Sequence, residues 1–227
     1  VSAAAEPVEL LGGQEIGIRP IQTEDRRLIE EGFERLSPES RYRRFFAPLQ
    51  RLSSEDLTYL TEVDHSDHEA MVALDPATEA IIGVARYVRA EDPTEAEVAV
   101  VVGDPWQGRG VASALLERLV ERARKAGITH FVALVMSDNE EALELFRNLA
   151  PGGSWTRRSS SGHTEMLIEL PEPGRSLSET RLGRVLSTVA REALSVNPWP
   201  VLRQAIMRRP TEEMRVPPED RHNRPLR

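Results

Sequence analysis

The chain has 227 residues and a formal net charge of −8, enough length to bury one core of ordinary size with an appendage left over. The acidic balance disfavours nucleic acid or an anionic membrane as the main partner and suits a cationic one. Cysteine is absent, which excludes disulfides, thiolate metal sites and an acyl-cysteine intermediate, so any group transfer has to be direct.

No apolar run reaches the length of a membrane span, and the first residues lack a charged and then apolar leader pattern, so a cytoplasmic protein is expected. Residues 1–13 carry no period and read as a flexible lead-in. Ile16-Gly17-Ile18-Arg19-Pro20 is a short strand closed by proline. Thr23 is placed as the cap of a helix over 23–36, with Glu24 and Asp25 in its first turn and Leu28, Ile29, Phe33 and Leu36 on one face. Ser37-Pro38 restarts the chain as a second helix to about Phe46. Ser53 or Ser54 opens a third, with Leu57, Leu60 and Val63 as its buried stripe. In the second helix Arg41-Tyr42-Arg43-Arg44-Phe45-Phe46 is read with aromatics inward and arginines facing water or a phosphate.

Two apolar runs, 70–74 and 80–88, flank Asp75-Pro76-Ala77-Thr78 and signal a hairpin. From Glu97 the order becomes strand to Val102, helix over 108–126, strand over 129–135 and helix over 139–149. That alternation implies two adjacent parallel strands joined by a crossover. A final hairpin turns around Ser160-Ser161-Gly162. Pro171-Glu172-Pro173-Gly174 marks the end of a domain spanning 14–172. Beyond it, 173–227 reads as one amphipathic helix followed by a proline- and arginine-rich tail, the helix docking on its own domain, covering the site or forming a homodimer contact.

The loop between the crossover strand and helix is the chemical centre. In Gln107-Gly108-Arg109-Gly110, two glycines let consecutive backbone N–H groups curl toward one point, and the helix that follows adds the positive end of its dipole. A pyrophosphate suits such a place. Asp64-His65-Ser66-Asp67-His68 gathers ionisable groups, but two imidazoles have no tetrahedral partner set, and no metal site is expected.

Gln107-Gly108-Arg109-Gly110-Val111-Ala112, five residues after the strand-ending Val102, resembles the acetyl-CoA signature of the GNAT superfamily of N-acetyltransferases. Asn139-Glu140-Glu141-Ala142-Leu143-Glu144-Leu145-Phe146 is similar to that family's Asn-x-x-Ala-x-x-Leu-Tyr helix, with Phe146 where tyrosine is usual. The segments around Ser40-Arg41-Tyr42-Arg43-Arg44-Phe45 and Val63-Asp64-His65-Ser66-Asp67-His68 resemble the bacterial Pat-type protein lysine acetyltransferases.

The resemblance implies a mixed α/β fold, a central sheet of about seven strands flanked by helices, with acetyl-CoA as cosubstrate. It places the cofactor on the backbone of Val100, Val101 and Val102, aimed by a strand bulge, and on residues Gln107, Gly108, Arg109, Gly110, Val111 and Ala112. Asn139 is either a helix cap or a cofactor contact. Glu97, at the head of the strand, is the candidate general base, with Glu95 as its rival on the same face; an amine must lose its proton before it can attack. His68 is assigned to the acceptor side. A phenylalanine at 146 cannot protonate a departing thiolate, which leaves Tyr42, Tyr59 and Tyr87 as the phenols. The acceptor is expected to be an amine, a protein lysine first, with a small-molecule amine or a CoA-binding module without turnover as the other readings.

Overall fold

The computed structural model describes residues 4–10, 12–150, 154–160 and 162–171. The helix and tail expected over 173–227, and the dimer contact assigned to that helix, lie outside the described residues.

Eight strands form one sheet in the order β1-β2-β3-β4-β5-β6-β8-β7. They are β1 (Glu6–Glu9), β2 (Glu15–Pro20), β3 (His68–Leu74), β4 (Ile81–Arg89), β5 (Glu95–Val102), β6 (His130–Met136), β7 (Trp155–Ser160) and β8 (His163–Glu169). Every neighbouring pair is antiparallel except β5 and β6, which run parallel. The mixed α/β architecture is the expected one, with a strand more than expected.

The extra strand is β1, inside the stretch expected to be a flexible lead-in. It pairs with β2 from Glu6↔Ile18 to Glu9↔Glu15, and Leu10 behind it is buried. A strand at the sheet edge is held by its backbone ladder, so Glu6-Pro7-Val8-Glu9 needs no apolar alternation to form.

Helices α1 (Arg26–Arg35), α2 (Pro38–Phe45) and α3 (Ser54–Thr61) fill the connection from β2 to β3 and cover one face. Ile29, Phe33, Phe45, Leu57 and Leu60 pack there with Val72 and Ile81. Helices α4 (Val111–Lys125) and α5 (Glu140–Leu149) cover the opposite face, where Leu115, Leu119, Leu143 and Phe146 meet Val98, Val100 and Val102. Helix α4 lies so close on β4 that a Cβ at Gly83 would come within 3.0 Å of Leu115 Cδ1 and 3.2 Å of Val111 Cγ1. The small residue thus fixes where the helix begins relative to the sheet.

The caps follow the sequence with one correction. Thr23 does not cap a long helix: Thr23–Asp25 is a short 3-10 turn and the α-helix starts at Arg26. The Asp25 carboxylate instead accepts from both Arg19 nitrogens at 2.7 Å and from the Gln22 N–H at 2.8 Å, tying the turn to β2. Ser37 caps α2 ahead of Pro38, and Ser53 caps α3 in a reciprocal pair with Asp56.

The inward face of α2 also differs from expectation. Ser40 and Arg44 are buried together with Phe45, whereas Tyr42 is the exposed large side chain. Ser40 and Arg44 are four apart and share a helix face, and Ser40 turns that face inward by bonding to the loop beyond β5. Among the described residues no helix is long and apolar enough to cross a membrane.

Candidate active site at the parting of the parallel strands

Strands β5 and β6 pair only from Glu95↔His130 to Val98↔Ala133. Beyond that, Ala99–Val102 keep β4 as their partner, while β6 stays with β8 through Met136↔His163. The two strands therefore part at Val98, and a gap opens between them.

Backbone alternation decides what lines the gap. The Gly103 N–H bonds to Ile82 O at 2.8 Å, so Val101 and Ala99 turn their polar backbone toward β4, and Val100 and Val102 turn theirs toward the gap. The bulge expected to aim these amides is absent: the β4–β5 register runs from Gly83↔Val102 to Arg89↔Ala96 without a shift. Of the three valines assigned to a cofactor, Val100 and Val102 present backbone to the gap, and Val101 sends its side chain to the α1–α3 side.

The loop at the far end of β5 is built tightly. Asp104 accepts from the Ser37 N–H at 2.9 Å, the Ser37 hydroxyl at 2.8 Å and the Ser40 hydroxyl at 2.9 Å. Burial alone would raise its carboxyl, but these hydrogen bonds outweigh that and hold it below the usual carboxylate range. Gln107 Nε2 donates to Val102 O at 3.0 Å and to Ser40 Oγ at 3.3 Å, so its side chain braces the loop rather than reaching outward. Arg109 donates to Gln14 Oε1 at 3.0 Å and lies over the Trp106 ring.

Gly108 and Gly110 have φ of +73° and +90°, a backbone region closed to most side chains. A Cβ at Gly110 would meet nothing within 4 Å, so its backbone conformation, not crowding, calls for glycine. Helix α4 starts at Val111 with no side-chain cap and no acidic residue in its first turn. Its first N–H groups and its dipole are left for an external anion. Val111 and Ala112 bury their side chains and offer only backbone. Asn139 is a helix cap: it is buried and its Oδ1 accepts from the Ala142 N–H at 3.1 Å.

At the other end of β5, roughly 3.3 Å per residue puts Glu97 about 16 Å from Val102. Glu97 is half-buried on the α1–α3 face, and its Oε2 is buried without a hydrogen-bond partner. Burial, and then the like charge of Glu165, pushes its carboxyl up to about 7. Glu95 sits two residues earlier, opposite His130.

His68 lies in the same row, through His68↔Val88 and Val88↔Glu97. Its ring stacks on Tyr59 with centroids 4.9 Å apart, and its Nε2 is 3.0 Å from Arg86 Nη1. A guanidinium only donates, so Nε2 is the acceptor and the ring is neutral. Burial and the Arg86 charge push the imidazole down to about 3. Asp64 Oδ1 accepts from the N–H groups of Ser66, Asp67 and His68, so it shapes a turn. Among the described residues no three His, Cys, Asp or Glu side chains gather as a metal site would require.

Phe146 is fully buried in the core. The phenol in the field of Glu97 is Tyr59, whose Oη is buried and unpartnered; burial raises its pKa while Arg86 and Arg44 pull it back. Sequence patterns do not single out Tyr59 or Glu165, because helix packing brings α3 and strand order brings β8 to Glu97. The Ser37–Asp104–Ser40 brace had a visible trace in the Ser37-Pro38 start, but its partner lies far along the chain.

Together these parts offer an extended ligand a strand edge for its amides, a helix start for its anionic end, and a carboxylate near neutrality at the opposite end.

The acetyltransferase (GNAT) family model matches residues 29–150. Acetyltransferase Pat of Mycolicibacterium smegmatis is 36% identical over 152 residues, 66% of this chain and 45% of that protein, so this chain spans less than half of that relative. The crystal structure of the GNAT domain of S. lividans PAT superposes with a TM-score of 0.66 at 35% identity, covering 73% of this chain and 97% of that one. YncA from Salmonella typhimurium, solved with its cofactor acetyl-CoA, shares the fold at a TM-score of 0.55 and 20% identity, covering 71% and 97%.

Proposed function

Because this chain belongs to the acetyltransferase (GNAT) family, we propose that it moves an acetyl group from acetyl-CoA directly to an amine, with a protein lysine as the acceptor and Glu97 as the base. The observation that carries this reading is the raised carboxyl of Glu97, at about 7, at the head of the strand whose other end leads into the unblocked start of α4.

Acetyl-CoA supplies an activated thioester. The α4 amides and the Gly108–Gly110 loop hold its diphosphate, and the gap-facing backbone of Val100 and Val102 pairs with the amides of its arm. Glu97 takes the proton of the ammonium, directly or through water, which frees the nitrogen lone pair. The C–N bond forms as the C–S bond breaks, the acylated nitrogen releases its second proton to water, and the thiolate leaves. Tyr59, kept protonated by burial, is the proton source for that thiolate in place of the apolar Phe146. His68, neutral at working pH, shapes the acceptor side without carrying charge. The net charge of −8 favours approach of a cationic, lysine-bearing partner, and the segments 40–45 and 63–68, which resemble Pat-type protein lysine acetyltransferases, support that acceptor class.

Transfer of radiolabelled acetyl from acetyl-CoA onto a panel of lysine-rich proteins and polyamines tests the proposal. Label on protein lysines supports it, and label on polyamines alone makes the chain a small-molecule enzyme. Binding of CoA with no transfer to any acceptor would make it a sensor.

A further inference from the structure

Between the α1–α3 layer and the sheet lies a cavity of about 610 Å³ whose lining includes none of Glu97, Tyr59 and His68. Its walls are largely apolar, Phe33, Phe45, Leu60 and Val101 among them; Arg35 and Asp75 also line it, as do two buried guanidiniums, Arg44 and Arg86. Both are nearly inaccessible to solvent, 3% and 1% exposed.

Arg86 donates Nη1 to His68 and Nη2 to Leu60 O, and its Nε is buried without an acceptor. Arg44 rests on the Phe45 ring, and its Nη1 is likewise buried without an acceptor. Among the described residues no carboxylate pairs with either. Burial and the neighbouring Arg86 lower Arg44 to about 9, and burial lowers Arg86 to about 10; both remain charged at neutral pH. Two like charges buried together without a counter-ion are costly, and the cost falls when an anion accepts their free N–H groups.

We propose that this cavity binds a small amphiphilic carboxylate, its anionic end on Arg44 and Arg86 and its apolar body on Phe33, Phe45 and Leu60. The volume lies within the usual range for small-molecule sites. The shape of the demand is specific: an apolar body alone leaves the guanidiniums unpaired, and a compact anion such as inorganic phosphate leaves the apolar walls unfilled. The carboxylate belongs either to a free acid or to the amine acceptor itself.

Isothermal titration of the 227-residue chain with octanoate and with octanamide decides the site, and needs neither acetyl-CoA nor turnover. The acid is expected to bind at least about tenfold more tightly than the amide, since charge-assisted hydrogen bonds are the difference between them. Arg44→Met, which replaces a buried charge by an apolar chain of similar reach, should abolish that ratio. If the variant does not fold, the ratio on the unaltered chain decides alone. Equal affinities, or no heat from either compound, would overturn the proposal.

The source is then separated by turnover with 6-aminohexanoate and hexylamine. A preference for the amino acid that disappears in Arg44→Met assigns the carboxylate to the acceptor. Octanoate binding without such a preference assigns it to a free ligand.

Discussion

Glu97 on β5 lies in the field of Glu165 on β8, and burial first, with that like charge second, holds the Glu97 carboxyl at about 7. Glu165 is exposed and sits opposite Leu134 on β6 and Arg158 on β7, so its charge acts from the solvent side. A base whose pKa matches the working pH is ionised often enough to act and still basic enough to take a proton. The kcat/KM profile for acetyl transfer should therefore rise with pH along a limb centred near 7. Glu165→Gln removes the like charge and leaves the burial, so the limb should move toward acid without reaching the ordinary 4.5. A limb that stays put in this variant removes Glu165 from the site.

Glu97→Gln should lower turnover by about 10²- to 10⁴-fold, the usual worth of a positioned base, while coenzyme A binding by calorimetry stays the same. Its stability carries an independent sign. Glu97 binds its proton more tightly folded than unfolded, raised from 4.5 to about 7. Its contribution is thus fully present below 4.5 and is lost as pH rises through 7. The amide has no such loss, so the melting temperature of Glu97→Gln relative to the parent should be higher at about pH 8 than at about pH 5. A difference independent of pH would mean that Glu97 does not hold its proton as described.

Two glycines in comparable conformations bracket α4, which allows a controlled comparison. Gly110 before it and Gly127 after it have φ of +90° and +83°, and a Cβ at either would meet nothing within 4 Å. Alanine at either position should cost about 1–2 kcal/mol of stability through the backbone alone. Only Gly110→Ala should also weaken coenzyme A binding, because only Gly110 stands at the end of the helix that offers N–H groups. Equal effects of both substitutions on binding would move the diphosphate away from this loop.

Asp104 ties the same loop to α2 through Ser37 and Ser40. Asp104→Ala leaves those donors without their acceptor, and a loss of about 1–3 kcal/mol is expected from denaturant unfolding. The kinetic signature should be a raised KM for acetyl-CoA with kcat nearly preserved, because Glu97 stands at the opposite end of the strand. A fall in kcat alone would be inconsistent with a brace for the cofactor loop.

Much of this arrangement could be read from the chain because local chemistry reports it. Gly108 and Gly110 announce a turn that other residues cannot make, and the alternation in 97–102 sorts Glu97 from the valines facing α4. Strand β1 escaped because Glu6-Pro7-Val8-Glu9 is held by backbone pairing, to which side-chain patterns are blind. Arg44 escaped for a different reason: a guanidinium is ordinarily solvated, and nothing within Arg41-Tyr42-Arg43-Arg44 marks the third arginine as the buried one. The turn of α2 that buries it is set by Ser40 bonding to Asp104, a contact between distant parts of the chain. Glu165 and Tyr59 reach Glu97 in the same way, through strand order and helix packing.

Tyr59 offers the sharpest test of how the thiolate leaves. Its Oη makes no hydrogen bond and is buried, so Tyr59→Phe removes an unsatisfied hydroxyl and should leave the melting temperature at or above that of the parent. Burial keeps the phenol protonated, and the His68 ring stacked 4.9 Å away holds it in place. A protonated phenol within the field of Glu97 can supply the departing sulfur while Glu97 receives the amine proton. Tyr59→Phe should therefore reduce kcat by about tenfold or more, within the usual range for a general acid, with the KM for acetyl-CoA unchanged. The loss should shrink with acetyl donors whose thiols are more acidic and leave without help. An unaltered kcat, or a loss indifferent to the leaving group, would show that the thiolate departs into water and that Tyr59 only packs.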